Sequence, residues 1–222
     1  MKHYILLQII ILGTWFFGCS SQKAVIMSSY EDKELTDKTL SIVKPLGNIN
    51  IQNPDDVTDD LGEGDPKTVY FDFLKNKLLS AFKDNSYLNN IEYIDNLQTS
   101  DFQEKVLSPA KDSNFTAFLP IENSRIAEIK SEFVLFFYNI DIYRSKKIVG
   151  LQGQSLSVLN HKIEFVLWDN VIGSIVSYGI LKEEEEIMFG MDKIHWESVI
   201  EMTATDIIDF SPFQRKYHFK NF

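Results

Sequence analysis

A chain of 222 residues that is 44% hydrophobic and 13% aromatic, with 17 phenylalanines, has the material for one good-sized core; it is not a disordered tether. Its 32 acidic and 22 basic residues give a formal charge of −10, which repels nucleic-acid phosphates and anionic lipid headgroups and excludes nucleic-acid binding. With Cys19 as its single cysteine the chain has no intramolecular disulfide.

Lys2 is followed by an apolar run from Tyr4 to Phe17 that closes on Gly18 and Cys19. A charged start, an apolar middle and a small residue before the cut are the parts of an export signal. A membrane-spanning helix needs ~20 apolar residues. This run is shorter, is interrupted by Gln8 and Gly13, and gives way to Ser20, Ser21, Gln22 and Lys23. Residues 1–18 are therefore expected to be a cleaved signal peptide. The ending Phe16, Phe17, Gly18, Cys19 resembles the bacterial lipobox; it matches at Gly18 and Cys19 and departs at Phe16 and Phe17, where leucine and a small residue are usual. The resemblance implies cleavage before Cys19 and a diacylglycerol, with palmitate-type chains, on its sulfur. Two or three acyl chains at ~0.8 kcal/mol per buried CH2 anchor a protein stably. The alternative is an incidental cysteine in a signal that is not lipidated. By resemblance to enterobacterial lipoproteins, Ser20 and Ser21 in place of an aspartate imply the outer membrane of a bacterial envelope.

Residues 19–39 are polar and predict a flexible tether, with Ala24–Met27 as an edge strand in the alternative. Residues 40–222 then form a single α/β domain. Leu40, Ile42, Ile49 and Ile51 show period two over a first strand, Leu40 to Gln52, broken by Pro45 and Gly47. An acidic loop follows from Asn53 to Asp65. Asp65 and Pro66 open a helix, the aspartate as cap and the proline at the first helical position, with Tyr70, Leu74, Leu78, Ala81 and Phe82 on one face to about Asp84. A short strand is expected at Ile91 to Leu97. Ser100 and Gln103 read as a capping box for a brief helix, Asp101 to Leu107. Pro109 to Pro120 reads as loop, and Ser124 to Ser131 as one or two helical turns. Three strands, Glu132 to Arg144, Gln154 to Trp168 and Ser174 to Lys182, predict an antiparallel meander whose second connection carries Asp169, Asn170 and Gly173. Asp192 begins a last helix with Trp196, Val199, Ile200, Thr203, Ile207 and Phe210 on one face, ended by Pro212. The fold class is α+β: a mixed sheet with a carboxy-terminal antiparallel meander and helices packed mainly on one face.

Ser41 to Leu46, Pro66 to Asp84, Ile91 to Leu97, and Phe165 to Gly179 with Trp168, Asp169, Gly173 and Tyr178 together resemble a loose group of envelope lipoproteins. The group includes the curli-secretion channel lipoprotein and the amino-terminal domain of the periplasmic protein of the Tol system. The resemblance covers nearly the whole mature chain, but all of its motifs are folding signals. It implies an envelope location and leaves the task open between scaffold, channel and accessory roles. The sequence shows no long amphipathic hairpin of the channel-forming kind.

Chemistry-bearing motifs are weak. The acids from Asp55 to Asp65 fit no EF-hand register and read as a solvated loop, with calcium ligation as the alternative. Glu183 to Glu186 read as a solvated strand end or, alternatively, a recognition element. His161 shares a face with Leu159, Ile163, Phe165 and Leu167 and reads as a hydrogen-bonded core histidine. His195 has no second histidine one helical turn away. No nucleophile elbow and no phosphate loop occurs, so no metal and no cofactor is expected. The carboxyl end, with Phe213, Tyr217, Phe219 and Phe222 among Arg215, Lys216 and Lys220, is either strapped over the core or a partner-docking arm. The expectation is a non-enzymatic, lipid-anchored scaffold or accessory subunit of an envelope complex. A small-molecule or lipid-binding lipoprotein is the second reading and a hydrolase the third. Homo-oligomerisation is left open.

Overall fold

The computed structural model describes residues 23–149, 153–188 and 190–214. Cys19 and the signal segment lie outside them. Among the described residues the strands are β1 (Lys23–Ile26), β2 (Thr39–Val43), β3 (Ile49–Ile51), β4 (Asn90–Ile94), β5 (Phe102–Ala110), β6 (Ser113–Pro120), β7 (Phe133–Val149), β8 (Gln154–Asp169) and β9 (Ser174–Ile187). The helices among them are α1 (Pro54–Leu61), α2 (Pro66–Asn85) and α3 (Lys193–Asp209). The main sheet runs β1-β9-β8-β7-β2-β4, with β3 following β2 along β7. Pairings among β2, β3, β4 and β7 are parallel, and those among β7, β8, β9 and β1 are antiparallel. The α+β class with a mixed sheet is therefore correct.

The meander carries the domain because its strands are apolar on both faces. Phe133, Leu135 and Phe137 of β7 join the core under α2 and α3, while Val134, Phe136 and Tyr138 join a second core on the opposite face. A bulge between Phe137 and Ile140 switches the alternation, so that Ile140 and Ile142 again meet the helices. The chain leaving β2 crosses at that bulge: Leu46 N–H donates to Phe137 O at 2.8 Å and Ile140 N–H to Asn48 O at 2.9 Å. The expected strand from Leu40 to Gln52 is thus two short strands laid end to end on β7.

Four other expectations are corrected. Residues 19–39 are not a free tether throughout, because β1 pairs with β9 (Lys23 with Ile180, Ile26 with Ser177) and Tyr30 is buried, donating to Asp169 Oδ2 at 2.8 Å. The acidic loop contains α1, whose Val57 is fully buried and whose Asp56 pairs with Arg144. Asp101 to Leu107 and Pro109 to Pro120 form not a helix and a loop but the β5–β6 hairpin. Its residues Leu107, Phe115, Ala117 and Leu119 cover the sheet face opposite the helices. Burial against Val134, Phe136 and Trp168 outweighs the capping-box signal, a local preference of about 1 kcal/mol. Residues 124–131 make turns and no helix. Their backbone is held instead by the Asn170 side chain, at Ile126 N 2.8 Å away and at Ile129 O 3.1 Å away.

The β7–β8 hairpin is longer than expected, and its end, Arg144 to Ile148, is exposed. Among the described residues no helix is long and apolar enough to cross a membrane.

The turn from β8 into β9 is built as Asp169, Asn170 and Gly173 require. Asp169 Oδ1 accepts from Val171 and Ile172 N–H at 2.8 and 3.0 Å, and Gly173 N–H closes the turn on Asp169 O at 2.9 Å. Gly173 sits at φ +70°, and a Cβ there would lie 2.5 Å from Ser124 N. Gly173→Ala is therefore expected to cost ~1–2 kcal/mol for the left-handed backbone, with more for displacing residues 123–124. A chemical-denaturation midpoint equal to that of the parent would refute this.

Candidate functional site: a buried polar cluster beneath an acidic groove

Three elements bring polar side chains into the helix-side core. α2 carries Tyr70 at a position apolar by helical period; β8 carries His161 on its core face; α3 supplies Trp196 and Thr203. All four are buried. Tyr70 OH lies 2.7 Å from His161 Nε2, and His161 Nδ1 lies 2.9 Å from Thr203 Oγ1. Thr203 gives its only proton to Val199 O at 2.8 Å. It must therefore accept from His161 Nδ1–H, which leaves Nε2 to accept from Tyr70. That assignment is a neutral imidazole with both nitrogens satisfied, and burial pushes the His161 pKa down to about 4. The Trp196 indole stacks at a tilt on Tyr70 with centroids 6.2 Å apart and donates to Asp60 Oδ2 at 2.9 Å. The acidic segment before α2 thus closes one end of the core.

Glu183 stands opposite His161 in the β8–β9 register and is 2% exposed. Asp206, one turn beyond Thr203 on α3, is 9% exposed. Glu183 is pushed up to about 8, first by burial and then by its hydrogen bond to Asp206 and that group's charge. Two carboxyl groups share a hydrogen bond only if one is protonated. Glu183 Oε1 and Asp206 Oδ2 have no donor from any other described residue. The expectation that all of Glu183 to Glu186 are solvated is corrected: Leu181, Glu183 and Ile187 are buried together on the core face of β9, Glu184 and Glu185 are half-buried, and Glu186 is exposed. Glu185 accepts from Ser198 Oγ at 2.8 Å. The period-two spacing of Leu181 and Ile187 was the signal that could have found Glu183.

Above the pair lies an open groove of about 550 Å3 between the end of β9 and α3. Ile194 and Met202 give it apolar surface, and Glu197 and Glu201 add carboxylates. Glu197 is paired with Lys77 at 2.8 Å. The arrangement can hold a proton, or a cation in its place.

His161 and Glu183 make opposite contributions to the pH dependence of stability. His161 is depressed from 6.5, so its contribution is complete above pH 6.5 and lost as pH falls through about 4. Glu183 is raised from 4.5, so its contribution is complete below pH 4.5 and lost as pH rises through about 8. The two slopes oppose each other between pH 4.5 and 6.5, and only the Glu183 slope remains from there to about 8. Melting temperature should therefore decline across that upper window, and Glu183→Gln should flatten the decline. An unchanged slope in the variant would contradict the assignment.

The sequence-derived sites fall elsewhere. Cys19, Tyr217, Phe219 and Phe222 lie outside the described residues. Phe213 is fully buried, edge-on to Phe133 with centroids 4.8 Å apart, so it is a strap over the core and not a docking side chain. Among the described residues no three histidine, cysteine or acidic side chains converge as metal ligands.

No family model and no curated protein matches the sequence. Solved structures similar to this chain include the PelC dodecamer from Paraburkholderia phytofirmans, at 12% identity over 89% of this chain and 99% of that one, TM-score 0.41. A Xanthomonas campestris protein described by the family model DUF330 matches at 15% identity over 80% of this chain and 85% of that one, TM-score 0.42. A minor lipoprotein from Acinetobacter baumannii matches at 14% identity over 78% of this chain and 90% of that one, TM-score 0.35. At these TM-scores the likenesses carry no functional assignment.

Proposed function

We propose that this protein is a bacterial envelope lipoprotein, anchored by lipid on Cys19 and probed by its partners through the α+β domain, with a scaffold or accessory role and no catalysis of its own. The observation that carries the reading is the position of the only cysteine, at the end of a signal-like segment and just before the first strand. Ser20, Ser21 and Gln22 alone separate Cys19 from Lys23, which is already paired with Ile180. At ~3.5 Å per residue the four steps reach about 14 Å, so the anchor holds the domain against the bilayer surface, the outer membrane by the residues after the cysteine. Detergent-phase partition is expected for the full-length protein made in a bacterial host, and Cys19→Ser should move it to the aqueous phase. Equal partition of the two would sink the lipid anchor.

Partner contact is assigned to exposed apolar residues on the side of the domain where β9 ends, with Ile148 76% and Met188 70% exposed, and to Tyr217, Phe219 and Phe222 of the carboxyl end. Photo-crosslinkers at 148 and 188 should trap one envelope protein in cells, whereas 172 at the opposite end should not. The groove on α3 favours a second reading, a lipoprotein that also binds a small ligand.

A further inference from the structure

We propose that the groove between β9 and α3 binds an organic cation with an aliphatic stem, a primary ammonium, whose head takes the place of the proton held between Glu183 and Asp206. The inference rests on the fold alone and stands whether or not Cys19 carries lipid.

Two observations on the site point to a ligand. The first is that Glu183 Oε1 and Asp206 Oδ2, on residues more than nine-tenths buried, have no donor from any other described residue. Apart from the proton the two carboxyl groups share, nothing described donates to these oxygens, and a buried acid pair left with no other donor points to an ion or other group that completes it. The second is the groove itself, which lies over these residues and at about 550 Å3 exceeds the ~300 Å3 at which ligand sites begin.

Nearby cations do not supply the missing charge. Lys77 is held by Glu197 at 2.8 Å and Lys182 by Glu184 at 2.5 Å. The ionisable groups around the pair are Glu184 and Glu185 on β9, Glu197, Glu201 and Asp209 on α3, His161 on β8, and Tyr70 and Lys77 on α2. His161 is neutral, so this surface has a surplus of acids.

The ligand class follows from the donor count. A calcium ion needs six to eight oxygens, and the described residues hold no three converging metal-ligating side chains. An ammonium has three N–H donors. Glu183 and Asp206 accept two, and Thr205 Oγ1, whose own proton goes to Glu201 O at 2.9 Å, has lone pairs free for the third. Ile194, 65% exposed, and Met202 offer apolar surface to the methylenes of the stem. Binding is then an exchange: the ammonium enters with its charge, the shared proton leaves to solvent, and both carboxylates are ionised in the complex.

The test is isothermal titration of the purified full-length protein with butylammonium, with a lysine peptide blocked at both ends, and with butanol as the uncharged control. Each titration is run in two buffers of different ionisation enthalpy. The expected result is saturable binding of an amine with release of one proton at neutral pH. Affinity should rise about tenfold per pH unit below the Glu183 transition, and butanol should not bind. Tighter binding of the peptide names a protein lysine as the natural ligand, and tighter binding of butylammonium names a free amine. Glu183→Gln, checked as folded by circular dichroism, should abolish proton release and weaken binding at least tenfold. The proposal is overturned by no amine binding at millimolar concentration, by binding without proton release, or by butanol binding as tightly as the amine.

Discussion

Phe213→Ala is expected to lower the unfolding free energy by about 3–5 kcal/mol, the usual cost of emptying a fully buried aromatic site. The ring has no exposed surface and meets Phe133 edge-on with centroids 4.8 Å apart. Its segment is tied down on both sides: Phe213 N–H donates to Ser211 Oγ at 3.2 Å, and Gln214 bridges to Ser86 at the end of α2. Phe213 therefore closes the end of the core where β7 begins, between the last turns of α2 and α3. Truncation after Gln214 separates its role from that of the following residues. That variant should keep the parent's denaturation midpoint while losing the crosslinked partner proposed for Tyr217, Phe219 and Phe222. Parent-like stability of Phe213→Ala would show that the strap is dispensable.

The second large effect is expected at Asn170. This fully buried amide accepts from Ile126 N–H at 2.8 Å and donates to Ile129 O at 3.1 Å and Ser131 O at 3.2 Å. It holds the backbone between β6 and β7 in place of a helix. Asn170→Ala removes the donors and the acceptor together, leaving at least three buried backbone groups without partners at about 1–3 kcal/mol each before relaxation. A loss of roughly 3 kcal/mol or more is expected. Hydrogen exchange should show lost protection at Ile126 and Ile129 first, with β8 unaffected at the same denaturant concentration. Uniform loss across the sheet would mean that Asn170 supports the whole domain and not this segment.

Both residues were visible in the sequence for the wrong reason. By its place after Asp169, Asn170 reads as a turn residue, which it is, but its side chain acts on a segment 44 positions earlier. Phe213 belonged to an aromatic carboxyl end whose two readings, strap and docking arm, differ only in burial. The same limit applies to Glu183. A run of four acids reads as solvated because adjacent like charges repel, yet in a strand the side chains alternate, and Leu181 and Ile187 carry Glu183 inward with them.

The local signals that held were those in which one short stretch contains both the cause and the partner. Asp65 accepts from Thr68 N–H at 2.9 Å, Asp192 caps α3 through Ile194 N–H at 2.7 Å, and Asp169 with Gly173 makes its own turn. The apolar runs of β7, β8 and β9 likewise announced the meander, and the core-face position of His161 followed from period two alone.

What covers the second face of the sheet could not be read locally. Phe115, Ala117 and Leu119 alternate, but Pro109 and Pro120 bracket them and argue for loop. Only contact with Val134, Phe136 and Trp168 makes the hairpin stable. Pairing in the candidate site is likewise a matter of tertiary contact: Tyr70, His161, Glu183, Thr203 and Asp206 come from four elements, and hydrogen bonding among them depends on how α2 and α3 lie on β8 and β9. The caps, the turn at Asp169 and the meander were decided by the chain's own order, because each depends on residues within a few positions of one another. Which side chains are buried, and therefore which carboxyl keeps a proton, was decided by packing between distant segments, because burial is a property of the neighbours and not of the residue.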